Sequence, residues 1–489
     1  MATEPITEEK KDEKNSPKDN LVESKHSVKI GGKEIKYTVT TGTMILKEEI
    51  TDKDVEVEKP RAQIFFIAYT KDGVKDKTKR PVTFSFNGGP GSSSVWLHMG
   101  VLGPRRVVLT DEGELPPPPF KLTDNQYSIL DDTDLVFIDP MGTGYSRPVE
   151  GEKAKEWHGF KKDIESVGDF IRLYVTRYHR WLSPKFLAGE SYGTTRAAGL
   201  SGYLQERHGM YLNGLMLISA VLDFTTIDFH LNNELPYVLF LPGYAATAWY
   251  HGKLNLKTSL NAFLKEVEEF AGGEYATALF KGDALLPEDR ASIVEKLSRY
   301  TGLSQDFIER TNLRITDQHF FKELLRERGL TVGRLDSRLL GMDRSGVTAT
   351  AEYDPLLTTV LGPYTAAFHN YIRAELNFES DLPYEILSEK VAVNWTYSQF
   401  ENQYLNVAET LRQAMTYNKY LKVFVANGYY DLGTPYFATE YTFNHLNLDR
   451  SLRGNIRMSY YDAGHMMYIH MPSLKAMKTD LTQFIKDAI

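Results

Sequence analysis

The chain of 489 residues contains no cysteine. Disulfide bonds, a thiol nucleophile and cysteine-ligated metals are therefore excluded. This absence suits a reducing compartment, although an exported protein without disulfides would have the same composition. The 12 histidines show no spacing with carboxylates that indicates a metal site. The sequence accordingly predicts neither a metal nor another cofactor.

Long apolar runs and excess positive charge are also missing. No apolar run reaches the length that a bilayer-spanning helix needs, which predicts a protein without a membrane partner. The formal net charge of −8 gives no reason to expect nucleic acid as a partner. The N-terminus lacks the apolar core of a signal peptide. The chain as written is therefore expected in the cytoplasm, and the alternative is a periplasmic or secreted protein whose signal has been removed.

The order of patterns along the chain predicts an α/β protein with one insertion. Residues 1–27 are dominated by Glu, Lys, Asp and Asn and are expected to form a disordered tail. Strand and helix patterns occupy residues 28–222 and return over 392–489, which indicates a central, mostly parallel sheet flanked by helices. Residues 223–391 carry amphipathic helical stretches without this rhythm, and we interpret them as a largely helical cap inserted into the sheet domain.

A strand, a sharp turn and a helix are predicted around one serine. Two apolar residues lead into Gly189-Glu190-Ser191-Tyr192-Gly193, and a run rich in alanine and glycine follows. Glycines on both sides are needed when the central residue is strained and lies close to the adjoining strand and helix. The serine is then presented at a helix N-terminus, where the dipole favours developing negative charge. The pattern predicts Ser191 as a nucleophile.

A glycine-rich loop precedes this turn in the sequence. The predicted strand 82–86 runs directly into Asn87-Gly88-Gly89-Pro90-Gly91. Glycines in such a loop leave backbone N–H groups free to point at a ligand. Hydrolases with a serine at a sharp turn place one oxyanion donor in a loop that follows an early strand. We therefore interpret this loop as part of an oxyanion hole rather than as a flexible turn.

An acid and a histidine follow in loops after later strands. Asp431 comes after the predicted strand 421–427, and His465 comes after the predicted strand 456–461. Serine, acid and histidine in this order match the chain order of the α/β-hydrolases. His465 would accept the proton of Ser191, and Asp431 would hold the imidazole in the required tautomer and stabilise its cation. The sequence therefore predicts an α/β-hydrolase fold and acyl-transfer chemistry.

These motifs together resemble the serine carboxypeptidases. The resemblance runs over nearly the whole chain after residue 28, apart from the cap. Five segments carry it: Asn87-Gly-Gly-Pro-Gly-Ser-Ser-Ser, Asp139-Pro-x-Gly-x-Gly-Tyr-Ser146, Gly189-Glu-Ser-Tyr-Gly, Gly428-x-x-Asp431 and Gly464-His465-Met466. The Gly-Thr-Gly-Tyr-Ser form of the second segment and the absence of cysteine are more similar to the bacterial branch of the family.

The resemblance implies a serine-type carboxypeptidase with a role for each residue of the site. Ser191, Asp431 and His465 would form the catalytic triad. The backbone N–H groups of Gly89 and Tyr192 would form the oxyanion hole, in which one donor contributes roughly 3–4 kcal/mol in other hydrolases. The implied partner is a peptide with a free C-terminus.

Three further residues would bind the C-terminal carboxylate of that peptide: Asn87, Gly88 and Glu190. Glu190 could do so only when protonated, because two carboxylates in one dry site cannot both be charged. A preference for acidic pH is therefore implied. The family usually has a second glutamate about fourteen residues after the asparagine, hydrogen-bonded to the glutamate of the turn, and this position is Val101 here. The departure bears on recognition of the carboxylate rather than on catalysis.

Two other functions remain open at this point. An esterase or acyltransferase would use the same triad, and Val101 makes this alternative less remote. A binding protein on an inactive hydrolase fold is disfavoured, because the serine, acid, histidine and glycine loop are all intact. The preferred C-terminal residue of the substrate depends on cap side chains whose placement the sequence does not determine. The oligomeric state is open, a dimer included.

Overall fold

The computed structural model describes residues 17–52 and 55–489. Strands within this part of the chain build one large sheet and two small hairpin-like pairs. In chain order the strands are β1 Asn20–Ile30, β2 Lys33–Asp52, β3 Val55–Lys71, β4 Val82–Phe86, β5 Arg105–Val107, β6 Leu122–Asp124, β7 Asp134–Ile138, β8 Arg147–Pro148, β9 Lys185–Ser191, β10 Gly214–Ala220, β11 Thr331–Val332, β12 Leu340–Gly341, β13 Lys422–Gly428 and β14 Ile456–Tyr461.

Helices flank the large sheet and fill most of the insertion. In chain order the α-helices are α1 Val95–Leu97, α2 Phe160–Arg177, α3 Tyr192–His208, α4 Leu235–Tyr250, α5 Leu260–Phe270, α6 Ala276–Lys281, α7 Pro287–Thr301, α8 Gln305–Arg310, α9 Asp317–Glu323, α10 Pro355–Ala374, α11 Glu389–Asn394, α12 Ala408–Tyr417, α13 Tyr436–Asn444 and α14 Met471–Asp487. A π-helical turn, His98–Leu102, continues α1. Among the described residues, no helix combines the length and the apolar character that crossing a membrane requires.

The large sheet is mixed, with a parallel centre. Its strand order is β1-β2-β3-β7-β4-β9-β10-β13-β14, and β8 pairs with β3. The six strands from β7 to β14 in this order run parallel to their neighbours, whereas β1, β2 and β3 are antiparallel and join β7 antiparallel. The residues of β4, β7 and β10 are buried throughout, as expected for strands covered on both faces. The predicted α/β-hydrolase architecture is confirmed in this arrangement.

Helices cover both faces of the sheet. Side chains of α2, α3 and α12 form one apolar core against it, and side chains of α10 and α14 form the core on the opposite face. A third core holds α4 to α9 together within the insertion and includes Tyr430, Leu432 and Tyr436. Although α10 lies inside the predicted cap range of 223–391, it packs on the sheet, because its buried side chains face the sheet core rather than the cap core.

The N-terminal prediction is wrong for residues 20–27. They form most of β1, which pairs antiparallel with β2 from Asn20 opposite Thr43 to Ile30 opposite Lys33. Side chains of this segment alternate between exposed and half-buried, so that a polar composition coexists with a regular strand. Backbone hydrogen bonds to the edge of β2 supply the stability that the composition does not reveal. The rest of the predicted tail, residues 1–16, lies outside the described residues.

A buried ion cluster joins the strands at the centre of the sheet. Asp134, the first residue of β7, accepts hydrogen bonds from Arg80 Nε at 3.1 Å and from Arg180 Nη1 at 2.6 Å. All three side chains are buried. Arg180 Nε donates to the Ser183 hydroxyl, and other guanidinium nitrogens donate to backbone carbonyls, among them those of Leu130 and Pro81. The cluster therefore ties β7 to the segments that precede β4 and β9.

Replacing the acid of this cluster is expected to destabilise the protein strongly. Asp134→Asn leaves two buried guanidinium groups without a counter-charge, and breaking a buried pair costs about 3–5 kcal/mol. The matched control is Asp124→Asn, whose partner Arg105 is 2.5 Å away and whose side chain is largely exposed. This control should cost about 1 kcal/mol or less. Urea and thermal unfolding measure both, and equal losses would contradict the role of the cluster.

Candidate active site

The predicted site residues lie in loops at one edge of the sheet. Asn87 follows β4, Ser191 ends β9, Asp431 follows β13 and His465 follows β14. These strands are parallel and stand next to one another in the order β4-β9-β10-β13-β14. Their carboxyl ends therefore meet at the same edge, which is where open α/β sheets bind their ligands.

The turn at Ser191 is strained and needs its two glycines. Ser191 has φ 59° and ψ −131°, a conformation that costs an L-residue on the order of 1–3 kcal/mol. A Cβ on Gly189 would lie 2.1 Å from the carbonyl oxygen of Gly193. A Cβ on Gly193 would lie 2.8 Å from the carbonyl oxygen of Phe86. A side chain at Gly189 would clash with the start of α3, and one at Gly193 would clash with the end of β4. The predicted strand, sharp turn and helix around Ser191, called the elbow below, are present in this form.

The glycine loop lies directly against the start of α3. A Cβ on Gly88 would lie 2.5 Å from the backbone nitrogen of Tyr192, so that only glycine allows this approach. Gly89 has φ +102°, a conformation that favours glycine. Tyr192 is the first residue of α3, and the N–H of such a residue has no partner within the helix. The two predicted oxyanion donors, Gly89 and Tyr192, thus belong to segments that are in contact.

Arg196 holds the glycine loop in place and was not predicted from the sequence. It is buried on α3 and donates from Nη1 to the carbonyl oxygen of Asn87 at 2.6 Å. Its Nε donates to Asp163 on α2 at 2.8 Å, and Asp163 also accepts from the Tyr192 hydroxyl at 3.2 Å. The sequence signal for this pair was a charged residue on the buried side of α2 and of α3. Charged residues are buried only when they are paired, so the two could have been predicted to bind each other.

The predicted acid and base are hydrogen-bonded to each other. Asp431 Oδ2 lies 2.8 Å from His465 Nδ1, and both side chains are buried. The carboxylate also accepts from the backbone N–H groups of Gly433 at 2.8 Å and Thr434 at 3.0 Å, and from the Thr434 hydroxyl at 2.7 Å. Because an ionised carboxylate only accepts, Nδ1 carries the hydrogen and Nε2 is left as the basic nitrogen.

A segment of the insertion, residues 333–339, joins the acid loop to the histidine loop. Five hydrogen bonds connect it to the two loops: Leu432 N–H to Arg334 O (2.9 Å), Ser337 N–H to Tyr430 O (3.0 Å), His465 N–H to Leu335 O (2.6 Å), Gly464 N–H to Asp336 Oδ2 (3.2 Å) and Arg338 Nη1 to Asp462 O (3.2 Å). Asp336 and Arg338 are themselves a buried ion pair at 2.7 Å. The insertion is therefore part of the scaffold that positions Asp431 and His465.

Glu190 is buried beside Ser191 and is approached by side chains from two other loops. The Tyr468 hydroxyl donates to its Oε2 at 2.6 Å, and the Asn87 side chain lies close enough to lower its pKa. Burial raises the pKa of Glu190 to about 7, and the charge of Asp431 also raises it. The charge of His465 and the side chains of Tyr468 and Asn87 lower this pKa, but by less. The Asn87 amide is oriented by the Leu97 N–H, which donates to Asn87 Oδ1 at 3.0 Å.

Opposing charges set the ionisation of His465. Burial alone lowers its pKa, but the charge and hydrogen bond of Asp431 and the charge of Glu190 outweigh it, so that the pKa lies above its ordinary value. The nearby charge of Arg334 lowers the pKa. Arg334 is exposed, and its Nη1 lies 3.0 Å from where a Cβ on Gly433 would stand. His465 therefore lies between carboxyl groups that favour its cation and a guanidinium group that disfavours it.

All eight predicted site residues thus lie at one edge of the sheet, and the roles assigned to them remain predictions. In the described part of the chain, no group of three or more His, Asp or Glu side chains could hold a metal ion. Tyr468 was missed from the sequence, although it stands three residues after His465 in the same loop.

Known proteins similar to this chain point to one family. A family model described as serine carboxypeptidase matches residues 54–471. The pheromone-processing carboxypeptidase KEX1 of Saccharomyces cerevisiae is 32% identical over 158 residues, which are 31% of this chain and 20% of that protein. Serine carboxypeptidase-like 29 of Arabidopsis thaliana is 26% identical over 202 residues, which are 40% of this chain and 39% of that protein. These matches thus span about a fifth to two fifths of the relatives' length.

A solved structure shares the fold. The crystal structure of KEX1ΔP, a prohormone-processing carboxypeptidase from Saccharomyces cerevisiae, superposes with a TM-score of 0.58 and covers 92% of each chain at 16% sequence identity. At this identity the likeness concerns the fold alone. The family model, by contrast, covers the elbow, the glycine loop and the loops of Asp431 and His465 together.

The charges around His465 predict two shifts of opposite sign. Glu190→Gln removes a negative charge that raises the pKa of His465, so the imidazole should lose its proton at a lower pH. Arg334→Gln removes a positive charge that lowers this pKa, so the proton should be lost at a higher pH. With an ester that carries no free carboxylate, the acid limb of kcat/KM should move down in the first variant and up in the second.

Salt and a matched arginine provide the controls for these shifts. Arg334 is exposed and therefore screened, so its effect should shrink as ionic strength rises, whereas that of buried Glu190 should persist. Arg344→Gln makes the same change of charge at another exposed position of the insertion and should leave the acid limb in place. Shifts of the same sign in the Glu190 and Arg334 variants would contradict the electrostatic account.

Proposed function

Because the chain belongs to the serine carboxypeptidase family, we propose that it hydrolyses the C-terminal peptide bond of peptides through an acyl-enzyme intermediate. The observation that carries the proposal is Glu190, a buried carboxyl group placed directly before Ser191 in the chain, hydrogen-bonded by Tyr468 and close to the Asn87 side chain. A hydrolase that acts on neutral esters has no need of such a group. A hydrolase that must recognise a free carboxylate beside the scissile bond does.

The proposed reaction proceeds in two acyl transfers. Ser191 Oγ attacks the carbonyl carbon of the last peptide bond while Nε2 of His465 takes its proton. The oxyanion accepts hydrogen bonds from the N–H groups of Gly89 and Tyr192. His465 then gives the proton to the leaving nitrogen, the C-terminal amino acid departs, and the acyl group stays on Ser191. Water, deprotonated by His465, attacks the ester and releases the shortened peptide and the free serine.

Recognition of the substrate carboxylate requires Glu190 to be neutral. The protonated carboxyl donates to the substrate carboxylate, and the Asn87 amide supplies a second donor. Since burial raises the pKa of Glu190 to about 7, this form is present below about pH 7 and is lost above it. Protonation of Glu190 also removes one of the charges that raise the pKa of His465, so that the base is available at lower pH. We therefore expect activity on free-acid peptides to favour acidic pH.

The branch of the family is also a proposal. The loop 142–146 reads Gly-Thr-Gly-Tyr-Ser, and the chain has no cysteine, which supports placing it with the bacterial serine carboxypeptidases. Without cysteine, no disulfide bond stabilises the loops of the site. The proposed partner is a peptide substrate with a free C-terminus.

Paired N-blocked dipeptides test the proposed activity. One carries a free C-terminal carboxylate and the other is amidated, and hydrolysis is followed from pH 4 to 8. We expect the free acid to react faster by about a hundredfold or more, because an amide leaves the buried polar groups of the site without their partner. This preference should fade as the pH rises past about 7, as Glu190 ionises.

Two serine variants complete the test. Ser191→Ala should reduce kcat by at least about ten-thousandfold. Ser201→Ala is the matched control, because Ser201 lies on α3 and donates to the Ala198 carbonyl at 2.7 Å away from the elbow, and it should retain activity. Equal rates on the two dipeptides, or activity on a matched ester only, would favour the esterase or acyltransferase alternative. Activity that survives in Ser191→Ala would overturn both assignments.

A further inference from the structure

The partner of Glu190 comes from the histidine loop. Tyr468 lies in the short 3-10 helix Met467–Ile469, three residues after His465. Its hydroxyl donates to Glu190 Oε2 at 2.6 Å, and both side chains are buried. One loop therefore supplies the base and a hydrogen-bond donor to the acid next to the nucleophile.

Tyr468 can occupy this position because the residue opposite its ring, Gly100, has no side chain. A Cβ on Gly100, in the π-helical turn after α1, would lie 2.3 Å from Tyr468 Cε2 and 2.7 Å from the Tyr364 hydroxyl. The two tyrosine rings therefore occupy the space next to Gly100. The turn His98–Leu102 contains no acidic residue, so it cannot offer Glu190 a second carboxyl group.

A phenol and a carboxylic acid affect Glu190 differently. A second carboxyl group would share one proton with Glu190 and would raise its pKa by mutual repulsion. A phenol has no such repulsion: burial and the charge of Glu190 raise the pKa of Tyr468 well above its usual value, so the hydroxyl keeps its hydrogen and acts as a donor. A donor stabilises the ionised carboxylate, which opposes the effect of burial. The other groups that face Glu190 are His465, Asp431, Asn87 and Tyr364.

We propose that Tyr468 is the positioning residue of the carboxylate site: its hydroxyl holds Oε2 of Glu190, leaves the other oxygen to the substrate carboxylate, and replaces a second acid in this role. The proposal rests on the proposed carboxypeptidase function. Its consequence is that this site recognises free C-termini up to a pH near neutrality, where Glu190 itself ionises, with Tyr468 keeping that limit lower than burial alone would place it.

Tyr468→Phe separates positioning from packing, since the ring stays and only the hydroxyl is lost. Without the donor, the neutral form of Glu190 is favoured, so the alkaline limb of kcat/KM on a free-acid peptide should move to higher pH. The carboxyl group also loses its anchor, so KM at the optimum should rise about tenfold while kcat changes by less than about twofold. On an ester without a free carboxylate, both constants should stay within about twofold of the wild-type values.

Gly100→Ala tests the same role without removing the hydroxyl. The new methyl group would clash with the Tyr468 ring, so the ring must shift, which disturbs the hydrogen bond of its hydroxyl to Glu190. The alkaline limb should shift in the same direction as in Tyr468→Phe. Tyr461→Phe is the matched control, because the buried Tyr461 hydroxyl donates at 2.7 Å to Asp480, a carboxylate on α14. This control should leave the pH profile unchanged.

The outcomes distinguish this inference from the function on which it rests. If the wild-type protein does not prefer the free acid over the amide, the proposed function fails first. If it does, but Tyr468→Phe keeps the wild-type KM and alkaline limb, the role of Tyr468 is overturned and the function stands. A loss of equal size on the free acid and on the ester would show a structural role only, which also overturns the inference.

Discussion

Close contact between two backbone segments is the constraint on which the site depends. The glycine loop and the turn at Ser191 approach so closely that Gly88 and Gly193 have no room for a side chain. This contact sets Asn87 and Glu190 side by side at the ends of the neighbouring strands β4 and β9, and it brings the two candidate oxyanion donors together. The strain at Ser191 persists because the surrounding backbone leaves the chain no alternative path.

The insertion completes this arrangement rather than merely covering it. Residues 333–339 bind the loops that carry Asp431 and His465, and they do so with the buried pair of Asp336 and Arg338. The end of the predicted insertion runs along the glycine loop, where the Ser93 N–H donates to the Ile386 carbonyl at 2.9 Å. The insertion thus contacts the loops at this edge of the sheet, which fixes the positions of Asp431 and His465 relative to Ser191.

The sequence was sufficient for the loops at the strand ends, because each has a local signature: glycines where backbones meet, or a polar residue directly after a buried strand. It was insufficient where the partner is distant. Tyr468 contacts Glu190 across 278 positions of the chain, and Gly100 matters only because the Tyr468 ring lies against it. Composition misled for residues 20–27, whose stability comes from backbone pairing with β2. Proline also obscured two helices: α4 contains Pro242 and α10 contains Pro363 in its interior, where proline normally interrupts a helix.

The central claim is that a neutral Glu190 binds the substrate carboxylate, and proton uptake on binding tests it most directly. Ser191→Ala, which cannot cleave it, is titrated with the N-blocked dipeptide that has a free C-terminal carboxylate, by calorimetry in two buffers of different ionisation enthalpy. With the pKa of Glu190 near 7, about one proton should be taken up per carboxylate bound at pH 8 and almost none at pH 5.5. The uptake should disappear when Glu190→Gln is added. Binding at pH 8 without proton uptake would contradict the account, because the carboxylate would then be held by groups other than Glu190.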